Sequence, residues 1–277
     1  MKDAPNEILQ RWGLSILTLV ADTGQAKVYK VVSGSGRVFA LKIYRHADRG
    51  NEAAGIKLMV RWRERGAVHI VHETANAILM EWLDGPTLGA LARDGKVGVV
   101  LAMLADTARR LHQDPVATTS GLKSLNDVFA PLFACQFSAD CPGSLAQNIK
   151  QAAGLAHTLL YSQQRIVPLH GDLHPDNVIL TDTGPRIIDA KGYFGDPAFE
   201  LANAFRHPKG MPDVIRQLSQ VRQCRQLYSQ ALNVSPTRLM QWAAAKCALS
   251  ICWRSNGTIT SDSQADLLSL LLNAADQ

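Results

Sequence analysis

Leu169-His170-Gly171-Asp172-Leu173-His174-Pro175-Asp176-Asn177-Val178-Ile179-Leu180 sets acids, histidines and a carboxamide between short apolar runs, and Ile187-Ile188-Asp189 follows after a turn at residues 182–184. The two apolar runs give the only strand-like signal in this half of the chain, a hairpin beside a polar loop. A carboxylate near an acceptor hydroxyl can take its proton. A carboxamide with a second carboxylate can hold Mg²⁺ against phosphate oxygens. Asp172, Asn177 and Asp189 fit those three roles, so the stretch suits phosphoryl transfer from a metal-bound nucleotide.

Upstream, strand signals dominate residues 1–84. Leu14 to Ala21, Ala26 to Ser33 and Arg37 to Tyr44 are short β-branched or aliphatic runs, and Gly34-Ser35-Gly36 supplies a hairpin turn between the last two. Asn51 to Arg65 turns helical, with Glu52, Ile56 and Met59 on one face. Val68 to His72 and Asn76 to Leu83 read as two more strands. Beyond Gly85-Pro86 the period is helical: a stripe from Val100 to Leu111 ending at His112, then Ser144 to Tyr161, Pro212 to Leu232, Pro236 to Arg254 and Ser261 to Ala275. The pattern predicts an α+β chain of two lobes, a small antiparallel-sheet lobe with one helix at residues 1–84 and a larger, mainly helical lobe at residues 85–277.

Composition agrees with such a chain. With 277 residues, 47% hydrophobic and 19% charged, it is neither disordered nor a disulfide-stapled miniprotein, and it is long enough for two lobes with a cleft between them. The net charge of +5 is spread out: 12 bases face 9 acids in residues 1–84, 8 face 9 in residues 85–189, and 9 face 6 in residues 190–277. No basic arm predicts a nucleic-acid partner. No apolar run reaches the roughly 18 residues of a spanning helix, and residues 1–10 lack a signal-peptide core, so the expectation is a cytoplasmic protein with no membrane partner. Five cysteines without a Cys-x-x-Cys pair read as buried, reduced thiols. Oligomeric state is not legible.

The segment His170 to Asn177 resembles the Brenner-type motif of aminoglycoside phosphotransferases and choline kinases, a branch of the protein-kinase-like superfamily. The layout as a whole, with Ile188-Asp189 and the helical tail, is similar to the streptomycin 6-phosphotransferase and hydroxyurea-resistance kinase family. This resemblance implies ATP and Mg²⁺ as cofactors and a small-molecule hydroxyl as acceptor. It places His170, Asp172 and His174 in the catalytic set, with His174 either near the γ-phosphate or orienting the loop, and Asn177 and Asp189 on the metal. Period two puts Ala40 and Lys42 on one face of their strand, so Lys42 can reach the α- and β-phosphates and Glu52 can hold it as an ion pair. Met80, the Glu81 carbonyl and the Leu83 N–H stand where the family binds adenine, and Thr23 and Gly24, with Gln25, stand in the phosphate-covering loop. Glu200 resembles the acid that braces the catalytic loop.

Departures from the protein-kinase pattern narrow the acceptor. Gly171 replaces the Arg that binds a phosphorylated loop, His174 stands where a peptide-kinase Lys would, Ala190-Lys191-Gly192 follows the metal Asp, and Ala-Pro-Glu is missing. These features predict a small-molecule kinase that is always assembled. Lys191 either neutralises phosphate or merely extends to solvent. The resemblance favours an aminoglycoside or hydroxyurea-type antibiotic, with Asp196, Glu200 and Asp213 as the acids that could receive a cationic drug. The alternatives are a metabolite kinase acting on a sugar or amino alcohol, and a nucleotide-binding pseudokinase or interaction module.

Overall fold

Helix α1 (Ala4–Trp12) leads into strands β1 (Leu14–Asp22), β2 (Ala26–Ser33) and β3 (Val38–Tyr44), and helix α2 (Ala53–Arg61) separates these from β4 (Ile70–Glu73) and β5 (Ala77–Glu81). The computed structural model describes residues 4–46, 49–113 and 120–276. The five strands form one antiparallel sheet in the order β1-β2-β3-β5-β4. Alternation decides what each face does. Phe39, Leu41 and Ile43 of β3 join Ile8, Leu14, Val31, Ala77 and Leu79 in an outer cluster on the α1 side. Tyr44, Ile78 and Met80 belong instead to the main core with Ile56, Met59 and Trp62, and Lys42 shares their face. Burying each of these large apolar side chains stabilises the sheet by about 1.5–3 kcal/mol.

The second region follows as α3 (Leu88–Arg93), α4 (Val97–Leu111), β6 (Lys123–Ser124), α5 (Leu125–Phe133), β7 (Gln136–Phe137), α6 (Gly143–Tyr161), β8 (Val167–Leu169), β9 (Val178–Thr181), β10 (Gly184–Ile187), β11 (Tyr193–Gly195), α7 (Pro212–Ile215), α8 (Leu218–Leu232), α9 (Pro236–Arg254), β12 (Thr258–Ile259) and α10 (Ala265–Ala275). Helix α9 is the axis of this region. It is buried on nearly every side from Leu239 to Cys252, so it carries no polar face, as a central core helix should. The hairpin β9–β10 and the three-stranded β6-β11-β8 sheet frame the polar loop.

Some expectations need correction. The segment from Pro212 to Leu232 is two helices, because Gln217 turns extended (φ −79°, ψ 126°) between α7 and α8. Helix α10 starts at Ala265, after the Asp262 carboxylate accepts from the Gln264 N–H. Helices α1, α3 and α5 were not expected, α3 and α5 being capped by Thr87 and Ser124. All five cysteines are free thiols, but Cys135 and Cys141 are only half-buried. Among the described residues no helix is long and apolar enough to cross a membrane.

Candidate active site

The polar loop is held from behind. Strand β8 pairs with β11 and delivers His170, and Gly171 then turns left-handed (φ +80°) where a Cβ would meet the Tyr193 ring at 2.5 Å. Glu200, 1% exposed, accepts from the His170 N–H at 3.0 Å and the Gly171 N–H at 3.2 Å, and its Oε2 lies 2.8 Å from His112 Nε2. Burial disfavours its charge, but the His112 and backbone hydrogen bonds outweigh that and hold the carboxyl below its usual range. The His170 ring is buried and donates from Nε2 to the Ile188 carbonyl at 2.9 Å, which leaves Nδ1 to accept from the Asp172 N–H at 3.3 Å. Burial pushes its pKa down, consistent with that neutral tautomer.

Asp172 and Asn177 emerge from this base. Pro175 opens a single 3₁₀ turn that brings Asn177 back, so its side-chain NH₂ donates to the Asp172 carbonyl at 2.9 Å and its Oδ1 is left for a ligand. One oxygen of Asp172 accepts from Asn203 Nδ2 at 2.8 Å, and Arg206 in turn holds the Asn203 carbonyl at 2.6 Å. Burial would raise the Asp172 pKa, yet nearby positive charge holds it down to about 2. His174, itself pushed down to about 3 by burial and by the adjacent His207, is uncharged at neutral pH.

Lys42 forms the second part. Its ammonium lies 2.6 Å from Glu52 Oε2 and 2.9 Å from Asp189 Oδ1. Burial opposes its charge, but Asp189 and Glu52 together raise its pKa. Glu52 also accepts from Tyr44 at 2.9 Å and from Lys191 at 2.8 Å, so its two oxygens serve three donors. Asp189 adopts φ +61°, a conformation uncommon outside glycine but tolerated by Asp. The loop after it is pressed against α2: a Cβ at Gly55 would lie 1.7 Å from the Ala190 carbonyl oxygen.

Lys42, Glu52, Asp172, His174, Asn177, Asp189 and Thr23 line one cavity of about 380 Å³. A second cavity of about 410 Å³ is lined by Lys123, Val128, Gly171, Tyr193, Lys246 and Trp253, and the two meet at Gln25, Asp172 and Lys191. Other expected residues stand elsewhere. His170 lies behind the loop, and Gly24, Met80, Glu81 and Leu83 are outside the lining of both cavities. The Glu81 carboxylate is bound by Arg186 and the His69 N–H, and the Thr23 hydroxyl is taken up by the backbone of Ala26 in its own turn.

Sequence reasoning missed Asn203, His207 and Lys246. The His207 ring stacks on His174 with centroids 3.7 Å apart and lies 3.5 Å from an oxygen of Asp176. Ligand atoms of His174, Asp176 and His207 fall within 4.8 Å of one another. Asp176 already accepts from Arg93 and the Lys209 N–H, and a guanidinium on that carboxylate opposes a cation there. The acids expected to receive a cationic drug are not in the second cavity. Asp196 is buried and bound by Arg238 and the Trp242 N–H, Glu200 braces the loop, and Asp213 is exposed on α7.

Residues 11–257 match the aminoglycoside/hydroxyurea antibiotic resistance kinase family. Over 221 residues the chain is 33% identical to the streptomycin 3″-kinase of Klebsiella pneumoniae, covering 77% of this chain and 78% of that protein. It is 33% identical over 216 residues to the hydroxyurea phosphotransferase of Kitasatospora aureofaciens, covering 72% of this chain and 60% of that protein. In fold it is similar to an aminoglycoside phosphotransferase solved with ADP and hygromycin B (TM-score 0.63, 13% identity, 99% and 98% of the two chains). It is also similar to the choline kinase of Cryptosporidium parvum (TM-score 0.65, 12% identity, 100% and 96%). With its antiparallel N-terminal sheet and helical C-terminal region, the chain has the protein-kinase-like fold and belongs to the aminoglycoside/hydroxyurea antibiotic resistance kinases, a family of small-molecule phosphotransferases.

Proposed function

We propose that this enzyme transfers the γ-phosphoryl group of ATP to a hydroxyl of a small molecule, with nucleotide in the first cavity and acceptor in the second. The observation that carries this reading is that the two cavities meet at Asp172. Lys42, fixed by Glu52, binds the α- and β-phosphates. Mg²⁺ fits the donor set: Asn177 Oδ1 and the Asp189 carboxylate are hard oxygens, and the Asp189 side chain is 34% exposed toward the cavity. When bound, the ion neutralises phosphate charge as transfer proceeds.

Asp172, ionised at any working pH, orients the acceptor hydroxyl and takes its proton late in transfer. A carboxylate held near pKa 2 is a weak base, and a loose phosphoryl-transfer transition state asks mainly for positioning. Asn203 fixes one of its oxygens and leaves the other for the acceptor. His174, uncharged and stacked on His207, positions the loop and supplies no charge to phosphate. Glu81 and Leu83 offer adenine only backbone contacts in this reading.

Retention of Lys42, Asp172, Asn177 and Asp189 in one constellation speaks against a pseudokinase. Streptomycin, hydroxyurea, sugars and amino alcohols form the first acceptor panel. Calorimetric titration with ATP plus Mg²⁺, followed by ADP release across that panel, tests the reading. Saturable binding and acceptor-dependent release are expected, and a purified, folded protein that binds no nucleotide would overturn it.

A further inference from the structure

Accepting phosphoryl transfer as the function of the first cavity, we propose that the second takes an anionic hydroxy compound: its hydroxyl meets Asp172 while an oxyanion, carboxylate or phosphate, is held by Lys246 and Lys123. The charges lining this cavity are Lys123, Lys191 and Lys246 against Asp172 alone. Lys191 is already paired with Glu52 at 2.8 Å. Among the described residues, Lys123 and Lys246 have no carboxylate partner.

Lys246 is the informative residue. It sits in the middle of α9, 4% exposed, in a helix whose neighbouring positions are Ala and Cys. Its ammonium touches the Ser250 hydroxyl at 3.0 Å and lies 4.7 Å from the centre of the Trp253 ring. A buried ammonium without a counter-charge is costly, and an apolar residue would pack there at no such cost. Burial and the neighbouring Arg206 push its pKa down to about 7 against the pull of Asp172, so an oxyanion in the cavity would favour its charged form. Arg206 adds to the positive charge there. It is held by the Asn203 carbonyl, the Ser250 hydroxyl at 2.7 Å and Gln264 at 2.9 Å, all of them neutral. An incoming oxyanion would supply the missing partner, with Tyr193, Val128 and Trp253 as the apolar wall against which a sugar-sized carbon skeleton rests.

The same arithmetic disfavours a polycation. Asp196, Glu200 and Asp213, the acids that could have received a cationic drug, are bound elsewhere or lie outside the cavity, so guanidinium or ammonium groups entering it would face lysines.

The experiment is calorimetry on full-length protein saturated with ADP and Mg²⁺, so that added anions do not occupy the nucleotide cavity. D-gluconate and D-glucose 6-phosphate are the carboxylate and phosphate probes, with D-glucose as the neutral match and streptomycin as the cation. At least one anionic probe should bind about tenfold or more tightly than glucose and streptomycin, the worth of one charge-assisted hydrogen bond. Whichever of the two binds tighter identifies the oxyanion. Lys246→Met, which keeps bulk in the core, should erase the preference, and the exposed Lys123→Gln should weaken it while the fold is untouched. ATP affinity measured without probe should stay within about twofold in both variants, as expected for side chains outside the nucleotide cavity. Equal or tighter binding of glucose or streptomycin, binding of neither anion, or a preference that survives both substitutions overturns the proposal. Failure of the phosphotransfer reading looks different: wild-type protein would not bind ATP with Mg²⁺ at all.

Discussion

The two cavities that meet at Asp172 are built on opposite electrostatic plans. In the first, the buried cation has its carboxylates in place: Lys42 touches both Glu52 and Asp189, and Glu52 also receives Lys191. In the second, Lys246 is buried against the Ser250 hydroxyl and the Trp253 ring, with no carboxylate paired to it among the described residues. A site balanced in advance suits a ligand that arrives with its own counter-ion, as a metal-bound nucleotide does. A site left unbalanced suits a ligand that brings the missing charge. The contrast separates what the family name carries, the chemistry, from what the cavity lining carries, the choice of acceptor.

The contrast breaks most completely at Asp189. Asp189→Ala removes a carboxylate proposed to hold the metal and one of the two carboxylates on Lys42, and turnover measured by transfer of labelled phosphate should fall below detection. Asp172→Asn comes next. It keeps the shape of the side chain but removes the charge at the junction of the cavities, and kcat should drop on the order of 10²- to 10⁴-fold with little change in ATP affinity. Gly55→Ala attacks only the balanced side: the new methyl collides with the Ala190 carbonyl, displacing α2 or the loop after Asp189. A loss approaching about 10²-fold in kcat/KM for ATP is expected from a displacement of that kind.

The smallest effect is in stability. His174 has a folded-state pKa of about 3 against 6.5 ordinarily, so below pH 6.5 the unfolded chain takes up a proton that the folded chain refuses. Its contribution is neutral above that pH and grows more unfavourable as pH falls toward 3. His174→Gln should flatten the decline of the urea midpoint between about pH 6.5 and pH 4, and an unchanged slope would show that the acid sensitivity resides in other groups.

How far the chain could be read without coordinates depended on whether the signal was local. The sheet was legible because its alternation and turns are written within a few residues: Phe39, Leu41 and Ile43 do face one way, and Lys42 the other. The motif from His170 to Asn177 and the Ile188-Asp189 pair were legible because loop chemistry needs set spacings. Lys246 was not, since a helix buried on all sides has no stripe against which an inward lysine stands out. Asn203 and His207 reach Asp172 and Asp176 across 31 residues of chain, a distance at which no pattern announces contact. The charge count of residues 190–277, nine bases against six acids, already spoke against an acidic acceptor pocket, but whether Asp196, Glu200 and Asp213 cluster there was not legible. Sequence counts Asp196 and Glu200 as charges without showing that Arg238, Trp242, His112 and two backbone amides already claim them.

Gly55 rests on Ala190 with no space for a methyl between them, and Gly192 closes on Gly55 in the same way, 2.4 Å from its nitrogen to a would-be Cβ. Helix α2 is therefore seated on the loop that carries Asp189, and that seat holds Glu52 within reach of Lys42. Kinases under cellular command commonly keep that helix displaced until a signal restores it. Displacing α2 in this chain would have to break the close seating of Gly55 on Ala190 and Gly192.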